Sequence, residues 1–241
     1  MLVSPALPGP PPEKRRYVRE IFSDIAPRYD LLNRVLSLNI DRSWRREAVA
    51  RLGWEARAEG TYLDACAGTL DLADTLARRP GFRGRVVATD FALPMLRRGI
   101  GKPPAGVVSS AVADTLQLPI ADRAFDGAVV GFGVRNLAGL DEGLAELARV
   151  LRPGSRLVIL DFTTPIFAPM RALYLFYFRN VLPLVGRLVS GHPTAYTYLP
   201  DSVMDFPAPD ELGRRMAVAG FRDCGHRLLT GGIAAVTWGV R

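Results

Sequence analysis

The sequence predicts an α/β fold built on a mostly parallel, doubly wound sheet with helices on both faces. Two observations carry that reading. Aliphatic segments alternate with amphipathic ones from residue 61 to residue 161, the pattern of strands joined by crossover helices, and the first two strand segments each carry a carboxylate near their end, Asp64 and Asp90. At 241 residues and 49% hydrophobic composition, one such sheet can be covered on both sides. Neither an internal repeat nor a second domain is visible.

Residues 1–12 are rich in proline and lack a basic leader and a continuous apolar stretch, so they do not read as a secretory signal. Residues 1–16 are expected to form a disordered arm. From 17 to 55, apolar side chains recur at three- and four-residue spacing, as in Val18, Ile21, Phe22 and Ile25. That spacing predicts a helical cap, interrupted at Pro27. Strands are expected at 61–66, 85–89, 107–112, 125–130 and 156–161, the third poorly marked, and helices at 72–78, 94–100 and 141–151. Pro153-Gly154 marks a turn before the fifth strand. An aromatic-rich insertion at 162–199, with Phe167, Tyr174, Phe176, Tyr177, Phe178, Tyr196 and Tyr198, breaks the alternation and is a candidate lid or substrate wall. A helix at 208–219 and strands near 221–229 and 233–240 close a single domain spanning 17–241.

In such a sheet a ligand sits outside the carboxyl ends of the strands. The first strand runs into Asp64-Ala65-Cys66-Ala67-Gly68-Thr69-Leu70-Asp71, small residues that let a ligand approach the backbone closely. No third glycine follows as in a dinucleotide fingerprint, and Asp71 would repel phosphate, so a cationic sulfonium amino acid suits this turn better. Asp64, Gly68 and Thr69 are its candidate contacts. Asp90 has the spacing of a carboxylate that accepts two ribose hydroxyls, and it equally fits a helix N-cap before Pro94-Met95-Leu96. Asp114-Thr115, after the third strand, can meet an adenine amino group or simply make a turn. Met95 is a candidate neighbour of the base and equally a core residue.

A formal charge of +7 and an isoelectric point near 9.9 predict attraction to an anionic partner. The basic residues are dispersed, with only short clusters such as Lys14-Arg15-Arg16 and Arg45-Arg46, and no nucleic-acid motif accompanies them. An anionic membrane surface is therefore favoured over nucleic acid, with a solvated arginine-rich surface as the plain alternative. The apolar stretch 166–189 is interrupted by Arg171, Arg179, Arg187, Pro169 and Pro183, which argues against a membrane-spanning helix. A cytoplasmic protein, peripheral at the inner face of the cell membrane, is expected. Cys66 and Cys224 lack partner spacing for a disulfide or a zinc site, and no metal is expected.

Four separated motifs carry a resemblance. They are Tyr29-Asp30-Leu31-Leu32-Asn33-Arg34-Val35-Leu36-Ser37 followed by Trp44; Gly131-Phe132-Gly133-Val134-Arg135-Asn136; Arg149-Val150-Leu151-Arg152-Pro153-Gly154 continuing to Asp161-Phe162-Thr163; and Tyr196-Thr197-Tyr198-Leu199 with Ser202. From Val18 to the C-terminus the chain resembles the UbiE/MenG family of demethylmenaquinone and ubiquinone-biosynthesis C-methyltransferases, within the class I, Rossmann-like methyltransferase superfamily. The resemblance implies a seven-stranded sheet with one antiparallel strand near the C-terminus, S-adenosylmethionine at the strand ends and a prenylated quinol as acceptor. It also implies a homodimer. Its cofactor positions fall on Thr69, Asp90, Asp114 and Thr115, and a fifth, usually serine, falls on Gly131, where only a backbone contact survives.

Methyl transfer to a ring carbon needs a quinol that has lost a hydroxyl proton, and positioning in a dry site supplies much of the rate. Arg135 is the candidate that favours the phenolate or orders a water, with Asn136 and Tyr198 holding the hydroxyls. In the plain alternative Arg135 pairs with an acid and Asn136 caps a turn. Tyr29, Asp41, Phe132 and Tyr196 are candidate walls of the ring pocket. His192 and His226 lie away from the expected cleft. The family carries glycine where this chain has Ala67 and Leu70, which predicts crowding beside the methionine part of the cofactor. Histidine is replaced by Asp41, and Asp161-Phe162-Thr163 stands where glutamate and serine are usual. Two other functions remain open: methylation of another hydrophobic small molecule, and a catalytically silent quinone-binding scaffold.

Overall fold

The computed structural model describes residues 11–37, 39–177, 180 and 195–241. Its strands are β1 (Thr61–Ala65), β2 (Arg85–Asp90), β3 (Val108–Val112), β4 (Phe125–Gly131), β5 (Leu151–Phe162), β6 (Arg222–Leu229) and β7 (Ala234–Val240). They form one sheet in the order β3-β2-β1-β4-β5-β7-β6. β1 to β5 pair in parallel, and β7 lies antiparallel between β5 and β6. The strand order reverses between β1 and β4, so a crevice opens beyond their carboxyl ends.

The helices are α1 (Pro11–Ile25), α2 (Tyr29–Ser37), α3 (Asp41–Arg51), α4 (Asp71–Ala77), α5 (Leu93–Gly99), α6 (Leu140–Val150), α7 (Ala168–Phe176), α8 (Ala195–Met204) and α9 (Pro209–Val218). Alternate side chains of each central strand point to opposite faces. Tyr62, Val129, Val158 and Leu160 pack on one face against Trp44 and Ala48 of α3 and Leu72 and Leu76 of α4. Leu63, Ala128, Val130, Leu157 and Ile159 pack on the other against Leu144 and Leu147 of α6 and Leu212 and Met216 of α9. Strands buried on both faces read as continuous apolar runs, which made them visible in the sequence.

Two expectations change. α1 begins at Pro11 rather than residue 17, so residues 11–16, expected within a disordered arm, are its first turn; Pro11 and Pro12 suit a turn whose amides have no intrahelical acceptor. Residues 1–10 lie outside the described residues. Pro153-Gly154 does not separate α6 from β5 but sits inside β5 as a bulge. There Phe125 pairs with Leu151 and Gly127 with Arg156, while Gly154 takes a left-handed φ of 79° and donates to the Arg241 carbonyl at 2.7 Å. In the aromatic insertion, α7 turns Tyr174 onto Val18 and Ile21 of α1 and Val203 of α8, leaving Ile166, Phe167, Leu173 and Phe176 exposed. Residues 178–179 and 181–194, His192 among them, lie outside the described residues. Among those described, no helix is long and apolar enough to cross a membrane.

Candidate functional site

The turn after β1 is held from beneath by two acids. Gly68 donates its amide to Asp90 Oδ2 at 2.8 Å, and Ala73, in the first turn of α4, donates to Asp64 Oδ2 at 2.9 Å. Cys66, Gly68 and Leu70 all take left-handed backbone angles, with φ of 52°, 52° and 66°. Such a conformation costs a non-glycine residue about 1–2 kcal/mol, and the two carboxylates together with the Leu70-to-Ala67 backbone bond of 2.9 Å hold it. Asp64 has no solvent exposure, and burial, with Asp90 and Asp71 nearby, pushes its carboxyl up to about 8. It supports the turn rather than facing a ligand, and at neutral pH it carries a proton.

A cleft of about 610 Å³ opens over the ends of β1, β2 and β4. Of the residues predicted from sequence, Asp90, Asp114, Thr115, Gly131, Phe132, Asn136 and Tyr29 line it. Asp90 accepts the Ala92 amide on Oδ1 at 2.8 Å and the Gly68 amide on Oδ2, and burial raises its pKa. Each oxygen keeps lone-pair capacity for a hydroxyl donor, so the cap role and the ligand role coexist. Asp114 accepts the Leu116 amide at 2.9 Å and is ion-paired with Arg15 of α1. Thr115 Oγ1 lies 3.3 Å from Cys66 Sγ, and burial pushes that thiol up to about 12, leaving it unreactive.

Other predicted residues stand back from this cleft. Met95 is core, packed with Ala26 and Ala92. Thr69 donates its hydroxyl to Asp30 at 2.7 Å. Asp41 accepts from Ser37 at 2.6 Å and pairs with Arg45. These contacts belong to one chain of charge: Arg45 reaches Asp71 at 3.2 Å, Lys102 reaches Asp71 at 2.8 Å and Asp30 at 2.7 Å, and Asp30 holds Thr69. Burial pushes Asp30 up, but Lys102 and Thr69 outweigh it and hold the carboxyl below its ordinary value. Asp71, read as a phosphate-repelling group, is thus neutralised by two cations, and Asp41 is a brace between α2 and α3 rather than a wall of the cleft.

The crowding expected from Leu70 does not arise. Its side chain lies over α5, where a β-carbon on Gly99 would come within 2.5 Å of Leu70 Cγ. Gly131 is explained in the same way, since a β-carbon there would lie 2.5 Å from Leu72 Cδ1.

Arg135 follows the plain alternative in its contacts. It is buried, with Nη1 donating to Asp161 Oδ1 and to the Phe132 carbonyl, each at 2.6 Å, and Asn136 Nδ2 donates to the same carbonyl at 3.1 Å. Phe132, at φ 57°, carries its ring into an aromatic wall with Phe162 at 4.8 Å and Trp44 at 6.3 Å. The Tyr29 hydroxyl is pushed up by burial and drawn back by Asn33, Arg135 and Arg45. The side chains of Tyr196 and Tyr198 lie outside what is described. His226 sits on β6, 3.4 Å from Asp210.

Comparison with known proteins gives this geometry a lineage. The sequence profile of the ubiE/COQ5 methyltransferase family matches residues 12–241. The chain belongs to the ubiE/COQ5 methyltransferase family. It is 44% identical over 231 residues to the ubiquinone/menaquinone biosynthesis C-methyltransferase of Geobacter sulfurreducens, covering 94% of this chain and 89% of that protein. It is 49% identical over 224 residues to the demethylmenaquinone methyltransferase of Thermus thermophilus, covering 92% and 100%. Its fold is similar to a methyltransferase of Thermotoga maritima, with TM-score 0.65 at 16% identity over 92% of this chain and 98% of that one.

As a ubiE/COQ5 family member the protein is an S-adenosylmethionine-dependent methyltransferase, and the cleft fits that donor. Asp90, with unused acceptor capacity, and Asp114, ion-paired with Arg15, both line the cleft, and Arg15 is the one cation among the described lining residues. Sequence reasoning missed Lys14, Arg15, Asp30 and Lys102 because each acts through a partner far along the chain. It recorded Asp161 only as a departure from the family pattern.

Proposed function

We propose that the protein transfers the methyl group of S-adenosylmethionine to a ring carbon of a prenylated quinol. The observation that carries this reading is Phe132. It lines the cofactor cleft while its ring belongs to the Trp44–Phe132–Phe162 wall, so the donor site opens directly onto a surface suited to a flat apolar ring. The names of the relatives support the same acceptor class.

Bound S-adenosylmethionine supplies an electrophilic methyl group. The protein's part is to hold the quinol ring in line with it, exclude water and favour the phenolate. Asn136 is placed at the cleft to orient a hydroxyl, and Arg135, one residue earlier, supplies the positive charge that favours the ionised ring. Tyr29 lines the same cleft from α2, beside Phe22. The exposed Ile166, Phe167, Leu173 and Phe176, beside Arg171, are the surface by which the enzyme meets an anionic membrane carrying its substrate.

Incubation with labelled S-adenosylmethionine and reduced demethylated menaquinone or 6-methoxybenzoquinol analogues tests the reading. A quinol product heavier by one methyl group is expected, and the ring that reacts faster identifies the acceptor. Calorimetric binding of S-adenosylmethionine without methylation of either quinol would overturn it.

A further inference from the structure

The Arg135–Asp161 pair is incomplete. Arg135 Nη1 is committed to Asp161 Oδ1 and the Phe132 carbonyl, and the Phe162 amide also donates to Asp161 Oδ1 at 2.8 Å. Arg135 Nε and Asp161 Oδ2 are both buried and meet no hydrogen-bond partner among the described residues. The side chains are 6% and 3% exposed. Leaving a buried donor and a buried acceptor unmet is costly. One ion pair that leaves over a donor and an acceptor suits a single small group able to accept from one and donate to the other, namely a hydroxyl.

We propose that Asp161 is the proton acceptor of the methyl transfer, its Oδ2 receiving the proton of the acceptor's ring hydroxyl, directly or through one water, while Arg135 Nε donates to the oxygen that ionises. This rests on the quinol reading above. The aromatic wall supports it, because the Arg135 guanidinium lies 5.4 Å from the centre of the Phe162 ring, which brings the ion pair to the edge of the surface assigned to the ring. Asp161 also borders a small cavity shared with Thr163 and Thr237.

The step balances. The hydroxyl O–H bond breaks, the proton passes to Asp161 Oδ2 and the electron pair stays on oxygen. The ring carbon forms its bond to the methyl group as the methyl–sulfur bond breaks and its electrons remain on sulfur. The ring carbon then gives its own proton to water, and Asp161 returns its proton to the oxygen. One proton is released per turnover.

The charged and titratable groups facing Asp161 are Arg135, from the turn after β4, and Tyr174, from α7. Burial raises the Asp161 carboxyl above its ordinary value, and Arg135 with the nearby Phe162 and Arg135 amides pulls it back. A base raised in this way is better matched to neutral pH than an exposed carboxylate.

The test compares wild type, Asp161→Asn and Asp161→Glu on a reduced demethylated quinol. Asp161→Asn should lower kcat by about 10²–10⁴-fold, with S-adenosylmethionine affinity unchanged within twofold by calorimetry. Asp161→Glu, which restores a carboxylate, should recover much of the loss. The acid limb of the kcat–pH profile should be present in the wild type and absent in Asp161→Asn. An Asp161→Asn variant within threefold of wild type overturns the assignment while leaving the acceptor standing; a wild type that methylates no quinol overturns both. Should Asp161→Asn lose its thermal unfolding transition, the wild-type profile decides. A plateau above an acid limb supports the base, and a rate climbing tenfold per pH unit up to the ionisation of the quinol itself overturns it.

Discussion

Asp64 shows how much a single carboxyl can depend on the side of the strand it occupies. Its pKa moves from 3.8 to about 8 on folding, so the folded protein binds this proton more tightly than the unfolded chain. Its stabilisation is fully present below about pH 4, declines as the pH rises, and is lost through about pH 8. At about 1.4 kcal/mol per pKa unit, the span amounts to a few kcal/mol. Asp64→Asn keeps an acceptor for the Ala73 amide and removes the titration. The variant should match wild type in thermal midpoint only below about pH 4 and exceed it by several degrees at pH 8.5. An equal or lower midpoint at pH 8.5 would contradict the burial argument. The sequence placed Asp64 at a strand end but read it as facing the ligand. It lies two residues after Tyr62 and shares that residue's face, beneath α4, a relation fixed by the pleat and by which helix covers it. Asp90 and Asp114 were legible because the first is the last residue of its strand and the second lies just beyond its own, where the chain enters the crevice.

Among the elements, β1, β2 and β4 were legible to within a residue, since burial on both faces leaves an unbroken apolar run, while the bulge at Pro153-Gly154 hid the first five residues of β5. β3 was faint for the opposite reason: it is an edge strand whose Ser109, Ser110, Ala111 and Val112 are exposed. The start of α1 was hidden by its prolines and is held by contacts with no local signature. Lys14 donates to the Leu137 carbonyl at 2.7 Å and the Arg135 carbonyl at 3.4 Å, while Arg15 pairs with Asp114. The first turn of α1 therefore straps the cofactor cleft, and its arginine occupies the carboxylate assigned to the adenine amino group. The double variant Lys14→Ala/Arg15→Ala should exchange S-adenosylhomocysteine faster, by up to about tenfold, as expected for losing two partly exposed polar contacts worth about 1 kcal/mol or less each. Stopped-flow release measured at two salt concentrations checks this. Wild-type release should quicken with salt because the Arg15–Asp114 pair is open to screening, and the variant should not respond.

For the whole molecule, the alternation of elements was enough to predict a mostly parallel sheet, and four motifs were enough to predict its lineage. The acceptor was less legible, because the ring surface is assembled from Trp44, Phe132 and Phe162, drawn from three distant parts of the chain. Net positive charge and the exposed face of α7 act together at this scale. The protein should float with vesicles containing anionic lipid at low salt, and Phe167→Ser/Leu173→Ser should reduce the bound fraction severalfold without altering turnover of a short-tailed quinol. Equal flotation of the variant and wild type would remove α7 from the contact.

Leu70 and Leu72 each project into room that a distant glycine leaves, Gly99 for the first and Gly131 for the second. Each pair admits change in only one order. Enlarging Gly99 or Gly131 while its leucine is in place forces two heavy atoms together, whereas shrinking the leucine first leaves a void that the fold can tolerate. A serine at position 131 is therefore grafted here most easily after Leu72 has been shortened or turned aside. The donor site thus rests on two interlocking couples, Leu70 with Gly99 and Leu72 with Gly131.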